Sequence, residues 1–258
     1  MITSVQIGLL FLNRDSFIII IFNLVFYLNP LKTGVLMNID KEKELENFAR
    51  RFEIATENFC RSCFDMRANE KAFQAWFASY VIQEFGLSRV YREIHLEKNQ
   101  LFQACGEKKD GRFNSFNGNE LFPDISISWR TNIDARHTVP REKSNLNQKV
   151  EDFLSEFAIV SEFKITSSTQ DPTPRADIIK DIKKLMFISS VKKENEPIRM
   201  KTYLILLDNH ETKRYKPKYM SEIFSLLSKD YEDLKRPTII VSSGDNLNVY
   251  RDFVLVNM

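Results

Sequence analysis

The chain has 258 residues, a net charge of +2 and a pI near 8.3. That mild balance neither requires nor excludes a nucleic-acid partner, because such partners respond to local basic patches. Hydrophobic residues make up 43%, including 21 phenylalanines, enough for a sizeable core in one large domain or two small ones. Only 7 glycines and no GxGxxG or GxxxxGK(S/T) pattern argue against a Gly-rich nucleotide loop.

Residues 1–36 stand apart. Phe17–Leu28 is strongly apolar but shorter than the roughly 20 residues a bilayer span needs. No early basic region or small-residue cleavage site marks a signal peptide. The segment reads as a membrane-associating anchor, a packed element or an extension outside the fold. The favoured reading starts a single working domain near Met37 and runs it to residue 258. Cys60 and Cys63 form "CRSC" and Cys105 stands alone, while His95, His137 and His210 are scattered. No second ligand pair completes a zinc site, and reduced thiols fit a cytoplasmic protein.

From Asp40, taken as a helix cap, Leu45, Phe48, Phe52, Ala55 and Phe59 recur at helical spacing. A second helix is expected between Asn69 as cap and Gly86 as stop, with Phe73, Trp76, Phe77, Tyr80 and Val81 as its apolar stripe. Glu70 falls in line with residues 73, 77 and 81. Its plain reading is a first-turn acid that complements the helix dipole while facing water.

Residues 89–96 read as a strand, and 97–121 as a polar loop or hairpin. The next strand, 122–129, puts Phe122, Asp124, Ser126 and Ser128 on one face, with Ile125 and Ile127 on the other. A long irregular excursion over 130–150 includes the basic "DARHTVPR". In the third strand, "FAIVSEFKIT", Ala158, Val160, Glu162 and Lys164 share one face, and Ile159, Ser161, Phe163 and Ile165 the other. A helix capped by Thr173 and opened by Pro174 then turns Ile178, Ile179, Ile182, Leu185 and Met186 inward, with Lys180 and Lys184 in an outward row. Two more apolar strands, with a helix between them, complete an ααβββαβαβ order. That order is an α/β domain on a mixed sheet.

Glu162 and Lys164 extend an apolar row, which makes them either an ion pair at a sheet edge or a site. Asp124 and Glu162 face one way from neighbouring strands. Their plain readings are a turn acid for Asp124 and, for Glu162 with Lys164, a surface ion pair worth under about 1 kcal/mol.

The "PD" of Pro123-Asp124, the "EFK" of Glu162-Phe163-Lys164 and a helix on either side resemble the PD-(D/E)XK superfamily of nucleases, over roughly residues 65–245. The resemblance implies a restriction-endonuclease-like core, a central mixed sheet flanked by helices. It implies a Mg²⁺-dependent endonuclease, with Mn²⁺ able to substitute, acting on double-stranded DNA in restriction or phage defence. Phosphodiester hydrolysis needs a metal to polarise phosphate and generate hydroxide near neutral pH, and Mg²⁺ prefers hard oxygen ligands and keeps several waters. On the resemblance, Asp124, Glu162, the Phe163 carbonyl and Glu70 would hold the metal. Lys164 would stand near the attacking water and phosphate. Arg175, Lys180 and Lys184 on the following helix would contact phosphates, against the plain reading of a solvated helix face. Two alternatives stay open: an inactive nuclease-like fold serving as a nucleic-acid-binding or assembly module, and a membrane-associated protein organised by Phe17–Leu28. A homodimer is also open.

Overall fold

A computed structural model describes residues 30–63, 65–107, 111–113, 120–133, 149–167, 175–210, 212, 215–244 and 246–256, with side chains from residue 40 onward except that of Ser167. Phe17–Leu28, the "DARHTVPR" loop, Thr173 and Pro174 lie outside the described residues. The chain divides into two compact units, Met1–Asp40 and Lys41–Met258; the second carries the sheet and both hydrophobic cores. Among the described residues no helix is long and apolar enough to cross a membrane.

Helix α1 spans Pro30–Cys63, so Asp40 lies inside it and does not cap it. The expected stripe of Leu45, Phe48, Phe52, Ala55 and Phe59 is buried. Helix α2 is Glu70–Phe85. Asn69 Oδ1 accepts the Ala72 N–H at 2.9 Å, and Gly86 ends the helix at φ 80°, where a side chain would be strained.

A 3-10 turn at Leu87–Arg89 leads into strand β1, Val90–Arg92. The strand expected over 89–96 breaks at Glu93, whose φ of 51° is left-handed, and resumes as β2, Leu96–Glu97. Helix α3, Lys98–Cys105, occupies part of the stretch expected to be loop. It buries Leu101 and Phe102, two apolar residues too few to show a helical period among polar neighbours.

Strand β3, Glu120–Leu121, pairs with β2, and β4 is Ile125–Ser128. Short helix α4, Val150–Leu154, precedes β5, Phe157–Ser167, and α5 follows as Arg175–Ser189. A small hairpin, β6 Lys192–Lys193 and β7 Glu196–Pro197, leads to β8, Lys201–Asn209. Helix α6, Pro217–Ser228, then connects to β9 Thr238–Ser243, β10 Asn246–Arg251 and β11 Val254–Val256.

The main sheet has seven strands in the order β1-β4-β5-β8-β9-β10-β11. Its centre, β5-β8-β9, is parallel and its flanks are antiparallel. The protein is therefore α/β with a large mixed central sheet flanked by helices. The parallel pairs require crossovers, which α5 and α6 supply. One face packs Ile178, Ile182 and Leu185 of α5 and Met220 and Ile223 of α6 with Leu204 and Leu206 of β8. The other packs the aromatic stripes of α1 and α2 on Phe163 and Tyr203.

Strand β5 has one irregularity. Ile127 pairs with Ile159 but Ser128 pairs with Phe157, which leaves Ala158 as an extra residue. A bulge of this kind switches the alternation. Ala158 consequently packs with Ile159, Phe163 and Ile165 under α1 and α2, not behind Glu162 as the simple alternation had it. Beyond the bulge the expected facing holds, with Val160 in the α5 core and Phe163 and Ile165 in the opposite one.

Candidate active site

Strand β4 begins at Ile125, opposite Ser161, so the C-terminal half of β5 pairs only with β8. Two residues past that last pair, the position facing Phe163 is Pro123, which has no N–H to donate to the ladder. Asp124 takes over the free edge: its Oδ2 accepts the Phe163 N–H at 2.8 Å. The N–H and C=O of a strand residue leave on the same side, so the Phe163 carbonyl faces this open edge too. "PD" and "EFK" are thereby brought together by one hydrogen bond.

Helix α2 reaches the same edge with its first turn. Gln74 Nε2 donates to Asp124 Oδ1 at 3.2 Å and to Glu70 Oε1 at 3.3 Å. Lys164 Nζ stands 3.3 Å from Glu70 Oε1 and 3.6 Å from Asp181 Oδ2. Lys184 Nζ lies 2.6 Å from Glu162 Oε1 and 3.6 Å from Asp181 Oδ1. Four carboxylates, Glu70, Asp124, Glu162 and Asp181, thus share one cluster with the ammonium groups of Lys164 and Lys184.

The cluster is dry. Glu162 is 2% exposed and Asp181 5%. Burial pushes the Asp124 carboxyl up to about 6, although the Phe163 N–H and the two lysines pull the other way. Burial also raises Glu162 well above the usual carboxylate range, with Lys184 opposing it and Asp124 and Asp181 adding to the rise. For Lys164, burial disfavours the charge, but Asp181, Glu70, Asp124 and Glu162 together prevail and hold its pKa above normal. Lys184 is held charged in the same way by Glu162 and Asp181. Two ammonium groups therefore stay charged beside carboxyls that are reluctant to ionise.

All four expected acid and lysine positions, Asp124, Glu162, Lys164 and Glu70, meet here. The three expected phosphate contacts do not stay together. Arg175 pairs with Glu222 at 2.5 Å and lies over the Tyr219 ring on the surface. Lys180 is exposed. Lys184 does not share its outward row: it points into the cluster with its side chain 14% exposed. Glu162 attracts it, and its long stem spans the helix–sheet gap with an apolar body.

Gln74 and Asp181 are the residues that sequence reasoning missed. Both carry the signal that singled out Glu70: Gln74 lies three before Phe77, and Asp181 lies between Ile178 and Leu185 on the buried stripe of α5. Asp208, buried on β8, is a different case. Its Oδ2 accepts the Tyr215 N–H at 2.9 Å and the Ser243 hydroxyl at 3.3 Å, and its Oδ1 accepts the His210 N–H at 3.3 Å. These bonds tie the end of β8 to β9 and to the turn before α6.

Among the described residues no three His, Cys, Asp or Glu side chains are grouped so as to hold a metal ion by themselves. The donors at the open edge are two carboxylates and a carbonyl, all hard oxygens suited to Mg²⁺ with waters completing the shell. Glu162 Oε1 is buried with the Lys184 ammonium 2.6 Å away. A carboxylate oxygen that already takes a cationic group as its partner is of the kind that suits a metal cation. Comparison with protein-family models, curated proteins and solved structures found no match.

Proposed function

We propose that the protein is a Mg²⁺-dependent endonuclease with a restriction-endonuclease-like core, cleaving phosphodiester bonds in DNA. The observation that carries this reading is the Asp124–Phe163 hydrogen bond, which joins Pro123-Asp124 to Glu162-Phe163-Lys164 in one buried acidic cluster. Asp124, Glu162 and the Phe163 carbonyl would hold the ion, with Mn²⁺ able to replace it. When bound, the ion polarises the scissile phosphate and lowers the pKa of a water.

The chain's own residues do the rest. Asp124 is kept in one orientation by the Phe163 N–H and by Gln74. Lys164, charged and held by Glu70 and Asp181, offers its remaining protons to the attacking water and a phosphate oxygen, where negative charge grows in the transition state. Glu70 sits against Lys164 and Gln74 and acts through them as a positioning residue. The burial of Glu162 and Asp181 strengthens the interactions on the inner side of the cluster. A restriction or defence role in the cytoplasm remains part of the proposal.

One observation favours the alternative of a non-catalytic binding or assembly module: Lys184 and Lys164 already partner the buried acids. Supercoiled plasmid incubated with Mg²⁺ separates the two readings. The wild type is expected to nick or linearise it, and Glu162→Ala/Lys164→Ala to be at least about 100-fold slower. Equal cleavage by both proteins would end the assignment of this cluster as the active site.

A further inference from the structure

Lys184 is placed where neither a solvated helix face nor a phosphate contact would put it. Its ammonium lies 2.6 Å from Glu162 Oε1, the most buried acid of the cluster, and 3.6 Å from Asp181 Oδ1 one helical turn away. Glu162 Oε1 and Asp181 Oδ2 are both buried without a well-aligned hydrogen bond. Lys164 stands on the far side of Asp181, 3.6 Å from Oδ2. Asp181 is therefore shared by two ammonium groups and fully claimed by neither, while Lys184 has two carboxylates within reach of its flexible stem.

We propose that Lys184 is the resident counter-ion of Glu162, holding that carboxylate in the cation-free protein and moving onto Asp181 when a divalent cation takes its place. The inference rests on the metal-dependent reading above and goes beyond it. It assigns Lys184 and Asp181 to cation exchange and removes Lys184 from phosphate recognition. Charge balance sets the number of cations. Glu70, Asp124, Glu162 and Asp181 against Lys164 and Lys184 leave two negative charges when all are ionised, which one divalent ion neutralises. Lys184 is a positioning residue in this scheme: it holds the Glu162 carboxylate in place before the cation arrives.

Mn²⁺ binding to the full chain without DNA, followed by calorimetry, tests this. The wild type is expected to take one Mn²⁺ per chain. Lys184→Met removes the competing charge and is expected to bind Mn²⁺ about tenfold or more tightly, whereas Lys184→Arg, which keeps the charge, is expected to gain nothing. A lysine that only braces the fold would give the opposite sign, because loosening the pocket weakens binding. Unchanged or weaker binding by Lys184→Met, with the wild type still binding, overturns the counter-ion role and leaves the metal-dependent reading standing. If the wild type takes no Mn²⁺, that reading fails and the exchange falls with it. Should Lys184→Met not fold, Lys184→Gln keeps a donor against Glu162 without the charge and is expected to shift affinity in the same direction. Should neither fold, the buried lysine Nζ–H resonances of the wild type decide. Displacement of one on adding Mg²⁺ supports the exchange, and no displacement rejects it.

Discussion

Around residues 162–164 the two faces of β5 are built from opposite chemistry. Toward α1 and α2, Phe163 stacks on Phe77 with centroids 5.7 Å apart and meets the edge of Phe59, in a core that holds Phe52, Phe73 and Tyr203 as well. Toward α5, the neighbouring residues Glu162 and Lys164 meet Asp181 and Lys184. The aromatic face gains from burial and dispersion wherever its rings touch. The charged face gains little, because desolvation of each ion offsets most of the attraction. At residues 162–164 the ring packing thus lies on one side of the strand and the charged cluster on the other, set into the α5 core that also takes Val160, with backbone atoms of Phe163 bordering both.

The largest expected effect falls on the aromatic face. Phe77 is fully buried and contacts Phe52, Phe59 and Phe163. Phe77→Ala is expected to cost about 3–5 kcal/mol in urea unfolding, with cleavage per folded molecule unchanged. A cost below about 1 kcal/mol would mean that this face does not carry the fold.

On the charged face the expected sign is reversed. Asp124 has an ordinary value of 3.8 and is raised to about 6 in the folded chain. Below both values it is protonated folded and unfolded, and its environment costs nothing. As pH rises from about 4 to about 6, the unfolded chain ionises this carboxyl while the folded state keeps it protonated, so the folded state loses stability, and above about 6 that loss is complete. Asp124→Asn escapes that loss. In the absence of metal it is expected to be more stable than wild type by about 1–3 kcal/mol at pH 8, the gain opening between about pH 4 and 6 and absent below. Cleavage should be abolished. A variant less stable than wild type at pH 8 would make Asp124 a structural residue, and the contrast between the faces would fail.

The smallest effect is expected at the surface. Arg175 and Glu222 are 41% and 45% exposed, so Arg175→Ala should change melting by no more than about 0.5 kcal/mol. If Arg175 contacts a phosphate, the salt dependence of DNA retention should lose about one unit of slope. An unchanged slope would confine nucleic-acid contact to other residues.

What the sequence disclosed follows the same division. The apolar stripes of α1 and α2 were readable because a core face writes its period into hydrophobicity, and Asn69 and Gly86 mark their helix by side-chain and backbone chemistry. Glu162 and Lys164 were conspicuous as charges in an apolar strand. Ala158 was misplaced because a bulge depends on pairing with β4, which leaves no local trace. Lys184 was misplaced for a related reason: a lysine's direction is set by what lies across the helix–sheet gap, here Glu162. Asp181 and Gln74 were legible in principle, since each interrupts a buried stripe, but one polar residue on a helix face draws attention only when its partners are known.

The parallel pairing of β5 with β8 also shapes how the molecule assembles. Residues 162–164 can sit beside β8 only after the α5 crossover is closed, and Asp124, Gln74 and Glu70 come from still earlier segments. Contacts of such sequence separation form late and slowly. The aromatic face depends on the same closure, since Phe77 meets Phe163 and Phe52 meets Tyr203 across long stretches of chain. Interactions absent from the transition state act on the rate of unfolding and leave the rate of folding almost untouched. A contact that forms only with that closure is therefore expected to set how long the native protein lasts and not how fast it forms.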